Sequence, residues 1–215
     1  MAERAVLFDL DGTLADTAPD LAAALNRLRK DGGLEPVPIE RLRPFASAGA
    51  RGLVHAGLGV KPGEADYDAL RTAFLEAYRE RTCVDTRLFP GIPELLGELG
   101  RRGIAWGIVT NKATRFTDRI VETLGLSPAC VVCGDTTEHL KPHPAPLLHA
   151  AGALGLPPAA CTYLGDDLRD VQAALAAGMR AIAVAWGYHH PESGGPRSWK
   201  AEAVIDAPQD LIPLL

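Results

Sequence analysis

Four apolar residues near the start of the chain, Ala5-Val6-Leu7-Phe8, run without polar alternation and stop at Asp9. A short run of that kind reads as a parallel strand covered on both faces. Four more follow, at residues 104–109, 130–133, 162–164 and 181–185, ending at Thr110-Asn111, Gly134-Asp135, Gly165-Asp166-Asp167 and Trp186-Gly187. Helical patterns fill the gaps at 93–102, 114–124, 144–154 and 168–177, each closed by a glycine: Gly103, Gly125, Gly155 and Gly178. Proline near a helix start, as at Pro93 and Pro144, with glycine just past the end is the asymmetry expected of helix boundaries. Strand and helix in alternation predict an α/β fold, a doubly wound parallel sheet with helices on both faces. Ligands of such sheets bind outside the carboxyl ends of the strands. The polar stops should therefore converge on one edge.

One interval breaks the alternation. Roughly ninety residues precede residue 104 without a convincing strand after the first, far more than an ordinary connection. Helical patterns at 20–30, 51–58 and 65–81 predict a helical insertion, hinged near 15–16 and 87–90. The expected architecture is a Rossmann-like core domain of residues 1–16 and 86–215 carrying a small helical cap domain of residues 17–85. A stretch with Pro, Ser and Gly at 189–200 reads as a surface loop.

Composition narrows the partners. The chain has 215 residues, enough for one such core plus an insertion, and its 47% hydrophobic and 23% charged content is that of a soluble globular protein. A net charge of −5 argues against a nucleic-acid surface, which needs a basic face. No apolar stretch approaches the roughly 18 residues of a spanning helix, and Asp9 and Asp11 interrupt the early run that a signal peptide would need. A cytoplasmic protein without membrane contact is expected. Cysteines stand at Cys83, Cys130, Cys133 and Cys161. The CxxC at 130–133 has no second pair and no His pair to complete a zinc site, so these thiols read as small buried side chains.

The polar stops carry the chemistry. They collect Asp9, Asp11, Thr13, Thr110, Asn111, Asp166, Asp167 and Asp170, with Lys141 in a proline-rich loop. Residues two apart on a strand share a face, so Asp9 and Asp11 meet in one crevice if the extended geometry persists; Asp11-Gly12 reads equally as a turn. So many carboxylates repel at several kcal/mol unless neutralised. Mg²⁺ suits such oxygen donors. Asp166 and Asp170 sit at a strand-to-helix transition, where acids also favour a helix N-terminus. Thr110, Lys141 and the amides around Asn111 offer hydrogen bonds and charge to phosphoryl oxygens.

Taken together and in order, DxDGT, a strand ending in Thr-Asn, a lysine and GDDxxD resemble the haloacid dehalogenase-like hydrolase superfamily, and the insertion is similar to that superfamily's small helical cap of the first class. The resemblance implies Asp9 as the nucleophile that forms an aspartyl-phosphate. It implies that Asp11 protonates the leaving oxygen and later deprotonates the hydrolytic water. Mg²⁺ would be held by Asp9, the main-chain carbonyl of Asp11 and Asp166, with Asp167 and Asp170 as outer support. Thr110, Asn111 and Lys141 would bind the phosphoryl group. Aspartate at position 11 favours phosphatase over dehalogenase chemistry. FDLDGTLADTAPDL, SAGARGLV, FPGIPELLGELGRRGIAWGIVTNK and GDDLRDVQAALAAGM resemble bacterial phosphoglycolate phosphatases, while residues 47–51 and WGYHHPE with WKAEAVID also resemble N-acetylmuramic acid 6-phosphate phosphatases. The implied partner is a small phosphorylated metabolite bearing a carboxylate, phosphoglycolate first and the muramic acid as alternative, with Arg51 reading the carboxylate. A monomer or homodimer is expected. A phospho-acceptor receiver domain also places Asp, Thr and Lys at strand ends, but receivers lack such an insertion. No glycine-rich nucleotide motif follows a strand.

Overall fold

In the computed structural model, which describes residues 3–215, the first apolar run is strand β1 (Ala5–Phe8). The chain then forms a short strand β2 (Ala15–Asp16), helices α1 (Ala18–Asp31), α2 (Ile39–Leu42), α3 (Gly49–Leu58) and α4 (Tyr67–Arg81), and a second short strand β3 (Arg87–Leu88). Regular alternation follows: α5 (Ile92–Arg101), β4 (Ala105–Val109), α6 (Thr114–Thr123), β5 (Cys130–Val132), α7 (Ala145–Leu154), β6 (Cys161–Gly165), α8 (Leu168–Ala176), β7 (Arg180–Val184) and β8 (Ala203–Ile205). Six strands form one parallel sheet in the order β5-β4-β1-β6-β7-β8. The chain fills one side of β1 with β4 and β5, then crosses back to fill the other. That reversal is a topological switch point, where a crevice opens at the carboxyl ends. Phe8 is level with Ile108 of β4 and Leu164 of β6, so the residues that follow these strands emerge side by side.

Alternation within β1 builds the two layers. Val6 and Phe8 pack with Ile92, Leu95 and Leu99 of α5 and Ile120 of α6. Ala5 and Leu7 face the other way, into Leu147 and Ala150 of α7 and Val171 and Ala174 of α8. The strand is therefore buried on both sides, which is why its sequence shows no polar alternation. Burying each large side chain contributes about 1.5–3 kcal/mol relative to exposure.

Helices α1 to α4 all lie between β2 and β3, which pair antiparallel through Ala15 with Leu88 and Asp16 with Arg87. They bury Leu21, Leu25, Leu42, Leu53, Val54, Phe74 and Tyr78 in a cluster of their own, to which the core lends Phe116 and Tyr188. Asp20 fastens the two ends of this insertion. Wholly buried, it accepts from the amides of Asp85 and Thr86 and, at 2.7 Å, from the Thr86 hydroxyl.

The structure departs from the sequence reading at the tail. A sixth strand, β8, pairs with β7 where no strand was expected. No α-helix separates it from β7, so the strand-helix alternation that marked the other strands is absent there. Residues 189–200 are not simply a surface loop: they carry two 3-10 turns and bury Trp199 against the sheet. The four cysteines are free thiols, three buried and Cys130 half-buried. Burial pushes the Cys130 thiol up to about 11, which suits packing rather than redox chemistry. Among the described residues no helix is long and apolar enough to cross a membrane.

Candidate active site

Asp9 is the first residue past β1, and its amide donates to Leu164 O at 2.9 Å, extending the strand pairing by one step. Its Oδ1 accepts from Leu10 N at 2.7 Å and pairs with Lys141 Nζ at 3.0 Å. Burial pushes the Asp9 carboxyl up to about 7 despite Lys141, with Asp170 and Asp11 adding repulsion. Asp166, first past β6, is wholly buried and is raised well above the usual carboxylate range by burial and by Asp9 and Asp170. Asp170 lies in the first turn of α8, where its Oδ1 accepts from Lys141 Nζ at 2.7 Å. Carboxylate oxygens of Asp9, Asp166 and Asp170 all lie within 4.8 Å of one another. Three buried acids this close, only partly offset by one lysine, form the oxygen-rich donor set of a hard divalent cation.

Close backbone approach packs this cluster. Gly12 has φ +83°, and a Cβ there would stand 2.1 Å from Asp166 Oδ2. A Cβ on Gly187 would meet Asp166 Cβ at the same separation. The glycine of DGT is thus required twice, by its left-handed turn and by the carboxylate against it. Asp166 Oδ1 accepts from the Thr13 hydroxyl at 3.2 Å, and Oδ2 accepts from Tyr188 N at 2.9 Å and Ser47 Oγ at 2.8 Å.

Asp167 lines the same cavity but lies outside the three-acid cluster. It caps α8, accepting from the Arg169 amide at 2.9 Å and from its guanidinium at 2.8 Å. Burial opposes ionisation of Asp167, but the hydrogen bonds and charge of Arg169 prevail and hold its carboxyl below the usual range.

The chain does not stay extended after Asp9. Leu10 O accepts from the amides of Thr13, Leu14 and Ala15, closing a tight loop, and yet Asp11 lines the same cavity as Asp9. Asp11 Oδ1 pairs with Lys112 Nζ at 2.9 Å and accepts from the Thr17 hydroxyl. Lys112 is a site residue that the sequence reading did not single out. Burial disfavours its charge, but Asp11 outweighs that and keeps it cationic, and its Nζ lies 4.8 Å from the centre of the Tyr78 ring. Its signal was available: it stands two residues past Thr110 in the same strand-end run, Thr-Asn-Lys.

Thr110 is buried, and its hydroxyl accepts from Lys112 N at 3.2 Å. The Asn111 side chain is fully engaged with the main chain of Lys141, donating to its carbonyl and accepting from its amide, both at 2.9 Å. Asn111 therefore clamps the loop that delivers Lys141. Lys141 is buried, and its Nζ also donates to Tyr163 Oη at 2.8 Å and Val109 O at 3.0 Å.

Above this floor lies a cavity of about 490 Å³. Its walls include Leu21, Phe74, Leu75 and Phe116, and Arg51, Arg71 and Arg115 line it as well. Arg51 of α3 and Arg71 of α4 are exposed and form no ion pair among the described residues; Arg115 lies 4.0 Å from Glu76 and over the Phe116 ring.

A parallel sheet that gathers buried carboxylates and a lysine at its switch point, beside a cavity partly lined by the helices between β2 and β3, is an α/β protein with its candidate site where that fold places ligands. Residues 6–184 match the family model of haloacid dehalogenase-like hydrolases, and the chain belongs to that family. It is 42% identical to the N-acetylmuramic acid 6-phosphate phosphatase of Pseudomonas aeruginosa, over 100% of this chain and 96% of that one. It is 40% identical to the phosphoglycolate phosphatase of Xanthomonas campestris pv. campestris, over 97% and 94%. A crystal structure of a predicted phosphoglycolate phosphatase from Haemophilus somnus superposes with a TM-score of 0.86 at 27% identity, covering 98% of this chain and 97% of that chain. The curated relatives are phosphatases, and the enzyme is a phosphatase of the same family.

Proposed function

We propose that the enzyme hydrolyses a small carboxylate-bearing phosphate monoester through an aspartyl-phosphate on Asp9, with Mg²⁺ as cofactor. The observation that carries the reading is the convergence of Asp9, Asp11, Thr110 and Lys141 on one cavity. Asp9 Oδ1 is occupied by Leu10 N and Lys141, whereas Oδ2 accepts no hydrogen bond among the described residues and is the atom placed to attack phosphorus. The P–O bond to the alcohol breaks as the Asp9–P bond forms, and Asp11 gives its proton to the departing oxygen. Water then attacks the phosphorus of the acyl phosphate, losing its proton to Asp11 and releasing Asp9. Two easier steps replace one difficult displacement. Lys141 and Thr110 bind the equatorial oxygens, where charge builds up. Asp9, the Asp11 carbonyl and Asp166 would hold Mg²⁺, with Asp170 and Asp167 as outer support, and the bound ion would supply positive charge that offsets the repulsion of the substrate phosphate by these acids.

Residues 17–85 serve as a cap over the core of residues 1–16 and 86–215. Support comes from their place between β2 and β3 and from the cavity residues they contribute, Leu21, Phe74 and Arg51. Arg51 would pair with the substrate carboxylate. Phosphoglycolate is the leading substrate. The roomy, partly apolar cavity favours a second reading, N-acetylmuramic acid 6-phosphate. Measuring kcat/KM on both, and on a carboxylate-free aryl phosphate with Mg²⁺ or chelator, decides between them. Multiple turnovers stopped by chelation and restored by Mg²⁺ support the phosphatase mechanism; a single phosphorylation of Asp9 without turnover indicates a receiver-like acceptor.

A further inference from the structure

The acidic cluster receives one side chain from the insertion. Ser47, in the 3-10 turn Arg43–Ala48, donates its hydroxyl to Asp166 Oδ2 at 2.8 Å. Its carbonyl accepts from Arg169 Nη2, also at 2.8 Å. Arg169 in turn bonds both oxygens of Asp167, at 2.8 and 3.0 Å. The segment after β6 thus grips Ser47 from two sides, although the residues are more than a hundred positions apart in sequence. We infer that Ser47 and Arg169 form a latch that couples docking of the cap to the orientation of the metal-binding carboxylates, so that a bound cation and a docked cap stabilise one another. The inference rests on the cap and metal site proposed above.

The physical basis is the limited freedom of Asp166. Gly12 and Gly187 press on it from two sides, and Thr13 and Tyr188 fix it from the core. Among the described residues, Ser47 alone of its hydrogen-bond partners comes from between β2 and β3. A carboxylate already oriented by hydrogen bonds binds a cation without reordering, and loss of such a support weakens metal affinity by about 10- to 100-fold. Linkage is reciprocal: whatever Ser47 adds to cation affinity, the cation returns to docking of the turn. Arg51 stands four residues further on, within α3, so the same docking event sets the cavity rim.

The test needs no substrate. Mg²⁺ is titrated calorimetrically into wild type, Ser47→Ala, Ser47→Thr and Arg169→Gln, and amide hydrogen exchange of residues 43–51 is followed with and without the ion. Thermal unfolding without metal verifies that each variant is folded. Wild type should bind Mg²⁺ and show slowed exchange in 43–51. Ser47→Ala should bind about tenfold more weakly and lose the slowing, and Ser47→Thr, which keeps the hydroxyl, should restore both. Arg169→Gln should lose the slowing. Equal affinity and equal slowing in Ser47→Ala and wild type would overturn the latch while leaving the metal site standing. No Mg²⁺ binding by wild type would overturn the latch together with the metal assignment beneath it.

Discussion

Asp9 and Asp11 stand one residue apart in sequence and answer to different cations, Lys141 and Lys112. Under the mechanism proposed above, that separation lets two neighbouring carboxylates take two roles. Asp9→Asn should abolish phosphate release while leaving circular dichroism and thermal unfolding close to wild type, because the amide keeps the shape and loses the nucleophile. Wild-type turnover in that variant would remove Asp9 from the role. Asp11→Asn should spare an activated aryl phosphate and cripple an alkyl phosphate, whose poor leaving group needs the proton. Comparable losses on the two esters would speak against Asp11 as the acid. Asp9 and Asp166 were legible because an apolar run that stops at small or polar residues marks the carboxyl end of a strand, and Asp170, in the first turn of α8, because of the GDDxxD pattern. Ser47 and Arg169 were not, since each draws its place from a partner across the fold.

At the scale of the element, α8 separates two adjacent acids that the sequence presents as equivalent. Asp166 ends the strand connection inside the acidic cluster; Asp167 opens the helix as its N-cap. Asp166→Ala should raise the Mg²⁺ concentration required for half-maximal activity by a large factor. Asp167→Ala should instead lower the unfolding free energy by about 1 kcal/mol, the usual cost of losing a cap, with a smaller change in metal requirement. A metal titration and a denaturant melt on both variants show the ranking, and the reverse order would exchange their roles. Helix α3 carries its own prediction. Arg51→Ala should lower kcat/KM on the preferred carboxylate substrate roughly 30- to 1,000-fold and leave the carboxylate-free aryl phosphate much less affected. A uniform small loss on all substrates would leave Arg51 a surface residue. The alternating helices and strands were readable from glycine stops and apolar runs; β8 was not, because only 3-10 turns and no α-helix separate it from β7.

Across the whole molecule, the position of the insertion was readable from the missing strands, but its attachments were not. Tyr188 shows why. Its hydroxyl oxygen accepts from the amides of Thr17 and Ala18, at 2.7 and 3.0 Å, and it donates to Asp16 Oδ1 at 3.0 Å. Helix α1 has no side-chain cap of its own, so a tyrosine after β7 supplies it. No local signal at either end of the sequence announces such a pairing. Tyr188→Phe should lower the unfolding free energy by about 1–2 kcal/mol, measured by denaturant titration; an unchanged midpoint would deny the hydroxyl this part.

Tyr188 also bears on the order of events at the ribosome. Helix α1 is synthesised early, and the group that caps it follows 170 residues later. The strand β1 likewise waits for β6 before both its edges are paired. A nascent chain therefore holds an open sheet edge, an uncapped helix and only Asp9 of its three clustered acids until the segment from β6 to Tyr188 has been made. Long-range pairing of this kind delays cooperative folding and leaves unfinished surfaces to chaperones. The three-acid cluster and the cap of α1 therefore wait on the same late segment, β6 to Tyr188.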